Sequence, residues 1–141
     1  MKLSDYVIRW GKERPDHAFL SFDGKTITYG EADAFTKEKG RSLPEEVHGK
    51  VVALYLTDAA SQVLWFLAAE RAGAVPLLVH EYIKGERLKE LFDARPIDFL
   101  LTDSETGGIS VSRREDGIFF GRVKDTGITR KEGVAVLTSG S

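Results

Sequence analysis

The apolar run Val51-Val52-Ala53-Leu54-Tyr55-Leu56 decides the fold of this chain. A continuous run of this kind is typical of a β-strand that is covered on both faces, as the strands of parallel sheets are. A stretch of helical length follows at residues 59–72, apolar at every position from Val63 to Ala69, and a second short apolar run follows at residues 75–79. Strand, helix and strand at this spacing predict a parallel pair joined by a right-handed crossover.

Capping and breaking residues set the limits of this central unit. Thr57 or Asp58 can accept hydrogen bonds from the free N–H groups at the start of the helix. Gly73 stands where the end of a helix favours a positive φ angle. Pro76 lies within the second run, which predicts either the beginning of a strand or a strand at the edge of the sheet.

A second helix and a third strand extend the same pattern toward the C-terminus. Leu88, Leu91 and Phe92 follow helical spacing in a helix predicted over residues 84–94, and residues 97–102 form the next apolar run. The alternation of strands and helices predicts an α/β fold with a doubly wound, mostly parallel sheet.

The residues before this unit predict a helix, a β-hairpin and another helix. Ser4 can cap a helix over residues 4–14. Two β-prone runs, residues 18–22 and 25–29, flank Asp23-Gly24, a dipeptide typical of a two-residue hairpin turn.

A capping box marks the start of the helix that follows the hairpin. Thr28 and Glu31 have the spacing at which each side chain bonds the backbone N–H of the other residue. The helix is predicted to continue to about Ser42, where a polar connection with breakers leads to the first strand of the sheet.

The last third of the chain contains shorter elements. Residues 109–112 and 118–123 predict a small β excursion, a hairpin on the rim of the sheet. Residues 134–137 predict a fourth inner strand, which opens into Thr138-Ser139-Gly140-Ser141. A strand that leads into a glycine- and hydroxyl-rich turn can begin a phosphate cradle, although a linker remnant is the alternative for such a short stretch.

Length and composition limit the class of protein. The chain has 141 residues and a net charge of −2, and 42% of its residues are hydrophobic. These values are typical of one globular domain, predicted over residues 1–141, and they give no electrostatic argument for binding nucleic acid. No cysteine is present, which excludes disulfides and fits a cytoplasmic protein. We expect no membrane-spanning segment and no signal peptide.

Three stretches resemble motifs of the adenylate-forming ligases, a family of acyl-CoA synthetases, peptide-synthetase adenylation domains and luciferases. Thr28-Tyr29-Gly30-Glu31-Ala32 is similar to an early Thr-Tyr-x-Glu-Leu motif, with alanine in place of leucine. Arg71-Ala72-Gly73-Ala74-Val75-Pro76-Leu77 is similar to a Lys-Ala-Gly-Ala-Val-x-Val-Pro-Leu motif, shortened before the proline. Leu137-Thr138-Ser139-Gly140-Ser141 is similar to the start of a phosphate loop that continues Thr-Gly-x-Pro-Lys. The resemblance covers nearly the whole chain but only the N-terminal portion of such an enzyme.

The resemblance implies the N-terminal subdomain of an acyl-CoA synthetase-like enzyme. That enzyme uses ATP and Mg²⁺ to convert a small-molecule carboxylic acid into an acyl-adenylate, and then transfers the acyl group to coenzyme A or a carrier-protein pantetheine. Thr138, Ser139, Gly140 and Ser141 would bind the nucleotide phosphates. The family's loop lysine and its motifs for adenine, ribose and magnesium fall outside these 141 residues, so no catalytic residue is assigned. We expect no ligase activity and no tight cofactor binding from the chain alone, and an exposed sheet edge could make it self-associate.

Other polar residues have simpler interpretations. The chain's histidines, His17, His48 and His80, show no metal-ligand spacing, and only His80 follows a predicted parallel strand. Asp58 and Asp103 also follow predicted strands, where helix capping or solvation explains them. Asp58 invites comparison with a receiver-domain phosphoacceptor, but such a domain also needs an acidic pair after its first strand and a later lysine, and the hairpin near the start of this chain argues against it. The remaining alternative is a free-standing flavodoxin-like binding module without catalysis.

Overall fold

A computed structural model of the chain describes residues 2–80, 82–104, 110–115 and 117–129, with only the backbone described for residues 110–115. Its helices are α1 (Leu3–Glu13), α2 (Tyr29–Ser42), α3 (Ala59–Arg71) and α4 (Glu86–Ala94). Its strands are β1 (Ala18–Phe22), β2 (Lys25–Thr28), β3 (Val51–Tyr55), β4 (Val75–Leu78), β5 (Phe99–Thr102), β6 (Ser110–Glu115) and β7 (Ile118–Arg122).

The main sheet has the strand order β4-β3-β5-β7-β6. β3 pairs in parallel with both β4 and β5, whereas β7 is antiparallel to β5 and to β6. β6 therefore runs in the same direction as the three parallel strands, and only β7 opposes them. The predicted mostly parallel sheet is confirmed, the β6–β7 hairpin forms its rim, and β4, which contains Pro76, is the opposite edge of the described sheet.

A different helix covers each of the two faces of β3. On one face α3 packs against Val52, Leu54 and the neighbouring Phe99 and Leu101 of β5. On the other face α4 contributes Leu88 and Phe92 to a cluster with the intervening residues of the same strands. All five residues of β3 are buried, as the continuous apolar run predicts, and the crossovers on opposite faces make the sheet doubly wound.

A further layer packs on the outer side of α3. Val7 of α1 and Ala32 of α2 form a buried cluster with Leu64 and Leu67. This layer explains why α3 is apolar nearly all round, because the helix lies between the sheet and two other helices.

Within the described residues, no helix is both long enough and apolar enough to cross a bilayer.

The hairpin and two of the predicted helix caps are confirmed. Asp23 and Gly24 both have positive φ angles between β1 and β2. The Thr28 hydroxyl accepts a hydrogen bond from the Glu31 N–H at 3.1 Å, and the Thr28 N–H donates to the Glu31 carboxylate at 3.0 Å. Asp58, rather than Thr57, caps α3 by accepting from the Ser61 N–H at 2.9 Å.

The prediction that Ser4 caps α1 is wrong. The helix begins one residue earlier, at Leu3, and Ser4 lies buried in its first turn. The acceptor for the free Ser4 N–H comes from another helix, because Glu70 of α3 is 5% exposed and its carboxylate receives that bond at 2.9 Å. The Ser4 hydroxyl has no hydrogen-bond partner among the described residues.

Asp98 joins three segments at the amino end of the parallel strands. Its side chain is 1% exposed, and its carboxylate accepts bonds from the Val51 N–H at 3.1 Å and from the Thr126 N–H and hydroxyl at 3.1 and 2.8 Å. Its backbone N–H donates to the Val51 carbonyl at 3.1 Å. β5 begins at Phe99, two residues later than predicted, and the Asp98 carboxylate holds the loop that leaves β7.

We expect Asp98→Ala to lower the free energy of unfolding by about 2–4 kcal/mol, because each buried donor left without an acceptor costs about 1–3 kcal/mol. Urea unfolding measures the loss. Asp93→Ala is the matched control, because Asp93 is exposed on α4. Equal stability of the two variants would contradict the structural role given to Asp98.

Gly73 ends α3 with a φ angle of +81°, as predicted. A side chain there would also collide with the ring of His48. Two separate penalties therefore act at this position, one from the backbone conformation and one from the contact.

Gly73→Ala should destabilise the fold by more than the ~1–2 kcal/mol that the left-handed backbone costs a non-glycine residue. Gly24→Ala is the control for the backbone penalty alone, because Gly24 has φ +76° and open space around it. Adding His48→Ala should recover only the difference between the two variants. Chemical denaturation of the three proteins provides the comparison, and full recovery in the double variant would disprove the backbone contribution.

Candidate functional site

The carboxyl ends of β3 and β5 lie side by side at one edge of the sheet. α3 leaves β3 on one face and α4 returns to β5 on the other, so this point is the topological switch of the sheet. Open α/β sheets bind ligands in the crevice outside such strand ends. The polar residues that follow the two strands are Thr57 and Asp58, and Asp103 and Ser104.

Asp103 holds the loop that follows β3. One oxygen of its carboxylate accepts the Thr57 N–H at 2.9 Å and the Thr57 hydroxyl at 2.7 Å. Thr102 makes a second link between the strands, because its buried hydroxyl donates to the Tyr55 carbonyl at 2.7 Å. Hydrogen bonds thus join the carboxyl ends of β3 and β5, and Asp103 stabilises the loop at the switch point.

Asp58 and His80, the other candidates at strand ends, have local structural partners. Asp58 accepts from both the N–H and the hydroxyl of Ser61 at 2.9 and 2.8 Å. His80 is exposed, its Nδ1 accepts the Tyr82 N–H at 3.2 Å, and its ring stacks on the Tyr82 ring with 4.5 Å between centroids. The capping interpretation of Asp58 is therefore confirmed.

The arrangement of titratable groups does not form a metal site in the part of the chain that the structure describes. No group of three or more His, Asp or Glu side chains is placed to hold a metal ion within those residues. His17 and His48 are exposed and lie apart from the switch point, before β1 and before β3 respectively.

A cavity of about 200 Å³ lies between α2, α3 and the strands β5 and β7. Phe35 and Trp65 meet edge to face in its wall, with 5.9 Å between ring centroids. Leu101 and Phe120 form its floor from the sheet, and Lys39 supplies a cation whose Nζ lies 5.9 Å from the Phe35 ring. The mainly apolar walls offer packing rather than proton transfer.

Thr138, Ser139, Gly140 and Ser141, the predicted phosphate-binding residues, lie outside the described residues, as does the predicted strand at residues 134–137. Their assignment remains a prediction.

The sequence profile of the family described as AMP-binding enzyme matches residues 7–133. This chain belongs to that family. The matched span contains two of the three motifs that carry the resemblance and ends before Thr138, so membership rests on the α/β body and leaves the phosphate loop untested. The predicted relation to the adenylate-forming enzymes is confirmed.

Two curated relatives are larger proteins. Over 124 residues the chain is 32% identical to novobiocin biosynthesis protein H of Streptomyces niveus, an alignment that covers 86% of this chain and 20% of that protein. It is 31% identical over 102 residues to surfactin synthase subunit 3 of Bacillus subtilis (strain 168), covering 68% of this chain and 8% of the relative. The chain therefore spans a fifth or less of the length of these relatives.

Solved structures share the fold. The N-terminal subdomain of Klebsiella oxytoca NpsA superposes with a TM-score of 0.67 at 23% identity, over 75% of this chain and 28% of that one. o-Succinylbenzoate CoA synthetase (MenE) of Bacillus subtilis, in complex with its acyl-adenylate intermediate, superposes with a TM-score of 0.58 at 26% identity, over 70% and 21%. These neighbours confirm the fold of an N-terminal subdomain. The family match favours the adenylate-forming interpretation over a free-standing flavodoxin-like module.

Sequence reasoning missed the residues that connect the elements of this body. Besides the contacts of Glu70 and Asp98, the role of Arg71 was not predicted. Arg71 donates to the Asp33 carboxylate at 2.6 Å and to the Thr36 hydroxyl at 3.2 Å, and so joins the end of α3 to α2. For Asp98 a signal was present, because an acidic residue interrupts the apolar run at 97–101.

Two loop variants separate the roles of the acidic residues at the switch point. Asp103→Ala should speed hydrogen exchange of the Thr57 amide by about tenfold, which corresponds to the ~1.4 kcal/mol of a charge-assisted hydrogen bond. Asp58→Ala should act on the Ser61 amide by a similar factor and leave Thr57 unchanged. Exchange followed by NMR measures both amides in each protein. If both variants accelerate both amides equally, the loop and the cap are one unit and the separate assignments are wrong.

Proposed function

We propose that this chain is the N-terminal part of an ATP-dependent acid–thiol ligase of the acyl-CoA synthetase or adenylation-domain type. The observation that carries the proposal is the family match over residues 7–133, which includes the β3–α3–β4 unit and the capping box before α2. The proposed reaction joins a carboxylic acid to AMP with release of pyrophosphate, and then transfers the acyl group to a thiol.

The relatives support the two halves of this reaction. MenE is a CoA synthetase whose structure was solved with an acyl-adenylate. The NpsA subdomain has been solved with 3-hydroxybenzoyl-AMSN, and an artificial fusion joins NpsA to a PCP domain. We infer ATP as the activating substrate, a small carboxylic acid as the second, and coenzyme A or a carrier-protein thiol as the acceptor.

Within the chain, the proposed nucleotide contact is the turn Thr138-Ser139-Gly140-Ser141. Backbone N–H groups and hydroxyls at a glycine-containing turn can bind anionic oxygens and stabilise a pyrophosphate leaving group. The groups that bind adenine, ribose and Mg²⁺ are assigned to later segments of the longer enzyme, as the resemblance implies. Residues 1–141, taken as one domain, supply the scaffold, and we place the enzyme in the cytoplasm.

The enzyme that contains this chain should catalyse carboxylate-dependent ATP–pyrophosphate exchange, measured with a mixture of carboxylic acids. In that enzyme, replacing both Ser139 and Ser141 by alanine should lower the exchange rate by about 10²-fold, the typical loss when donors to a developing anion are removed. Ser21→Ala, on the exposed β1–β2 hairpin, is the control and should leave the rate unchanged.

The chain of 141 residues alone should show no exchange, because it lacks the loop lysine and the later motifs. Turnover by the chain alone would disprove the assignment of the remaining nucleotide-binding and catalytic groups to later segments of the longer enzyme. Absence of exchange in the longer enzyme with every acid tested would count against a ligase.

A further inference from the structure

The cavity between α2, α3, β5 and β7 has a buried apolar part and a partly exposed polar part. Leu101 and Phe120 are buried beneath it. Lys39, Ser42 and Ser61 line it as well, and each of these three residues is partly exposed. A small molecule can therefore reach the apolar part from the side of the polar residues without unfolding of the chain.

Two short side chains leave this space open. Ser42 is the last residue of α2, and Ser61 lies in the first turn of α3. Each hydroxyl bonds locally, because Ser42 donates to the Lys39 carbonyl at 2.7 Å and Ser61 donates to the Asp58 carboxylate at 2.8 Å. A larger residue at either position would fill part of the cavity, so the choice of serine at both helix ends preserves its volume.

The size and walls of the cavity match one aromatic ring with a small substituent. Its volume of about 200 Å³ exceeds the ~150 Å³ of an engineered apolar cavity that stays dry and binds benzene. Phe35 and Trp65 meet at an interplanar angle of 84°. A third ring can pack against this pair in the offset or edge-to-face arrangements that aromatic rings prefer.

Trp65 also carries a hydrogen-bond donor that lacks an acceptor. Its side chain is 7% exposed, and its indole N–H makes no hydrogen bond within the part of the chain that the structure describes. A buried tryptophan N–H usually has a partner. Lys39 adds a positive charge, with its Nζ 5.9 Å from the Phe35 ring. Both groups donate and neither accepts, so the complementary ligand carries an oxygen acceptor.

We propose that this cavity is a binding site for a small monocyclic aromatic molecule with an oxygen acceptor, such as an aryl ketone. The ring packs among Phe35, Trp65 and Phe120, and the oxygen accepts the Trp65 indole N–H. Binding here is independent of the proposed ligase reaction, because the lining residues belong to the described body and none is assigned to the nucleotide.

Acetophenone and isopropylbenzene are probes of the same shape, of which only the ketone has an acceptor. In an NMR titration of the chain of 141 residues, we expect acetophenone to bind with a Kd of about 1 mM or tighter, a modest affinity for a ligand of this size. It should shift the Trp65 indole N–H and the Leu101 methyl signals. Trp10, the other tryptophan, and Leu88, on the opposite face of the sheet, are the internal controls.

Two pairs of variants test the volume and the donor separately. Ser61→Phe, which fills the cavity, should weaken acetophenone binding by at least about tenfold, whereas Ser61→Ala should bind it as the natural chain does. Where Ser61→Phe shifts the Leu88 signals, Ser42→Phe and Ser42→Ala take the place of this pair.

Trp65→Phe keeps a ring but removes the N–H. It should lower the affinity for acetophenone relative to isopropylbenzene by about two- to tenfold, the usual effect of one neutral hydrogen bond. Trp10→Phe is the matched control and should leave the ratio of the two affinities unchanged. The ratio is the informative quantity, because a general loss of packing in the cavity affects both probes alike.

Absence of any shift at Trp65 and Leu101 with millimolar acetophenone would overturn the proposal. Equal binding by the phenylalanine and alanine variants of the same serine would also overturn it, because the ligand would then lie elsewhere. An affinity ratio that Trp65→Phe leaves unchanged would reject the oxygen acceptor as part of the ligand class. Acetophenone binding with these variant effects, in an enzyme that shows no ATP–pyrophosphate exchange, would support the site and reject only the ligase.

Discussion

The burial of β3 on both faces is the constraint on which the rest of this structure depends. Its side chains alternate between two apolar clusters, so one helix on each side is required, and α3 and α4 supply them. Because the two right-handed crossovers lie on opposite faces, the chain moves across the sheet first in one direction and then in the other, which leaves β4 on one side of β3 and β5 on the other. The switch point at the carboxyl edge is therefore a direct result of a strand with no polar face.

The motifs that relate this chain to AMP-binding enzymes have structural roles in the described body. Thr28 and Glu31 satisfy the first N–H groups of α2. Arg71 and Gly73 end α3, one by an ion pair to α2 and the other by a positive φ angle. Family membership here therefore reports a scaffold, whereas the chemistry proposed for the enzyme depends on the hydroxyl-rich turn and on segments outside this chain.

Sequence reasoning predicted the elements whose causes are local. The Asp23-Gly24 turn, the capping box and the strand predicted from the run 51–56 each depend on residues within a short window, and each is confirmed, the strand over Val51–Tyr55. It failed at Ser4, and it did not identify the roles of Glu70 and Asp98, because their partners are 66 and 47 residues away in the chain. A carboxylate that accepts bonds from a distant segment leaves no periodic pattern, and only the tertiary arrangement reveals it.

The position of Asp98 has a consequence for synthesis on the ribosome. Its partner Val51 is made before it, and its other partner, Thr126, is made after it. While the chain is emerging, the carboxylate can reach the amino end of β3 but must remain hydrated until the residues after β7 arrive. The parallel strands can therefore assemble early in translation. The bonds between Asp98 and Thr126 at the amino end of these strands form only when nearly the whole of this chain has left the exit tunnel.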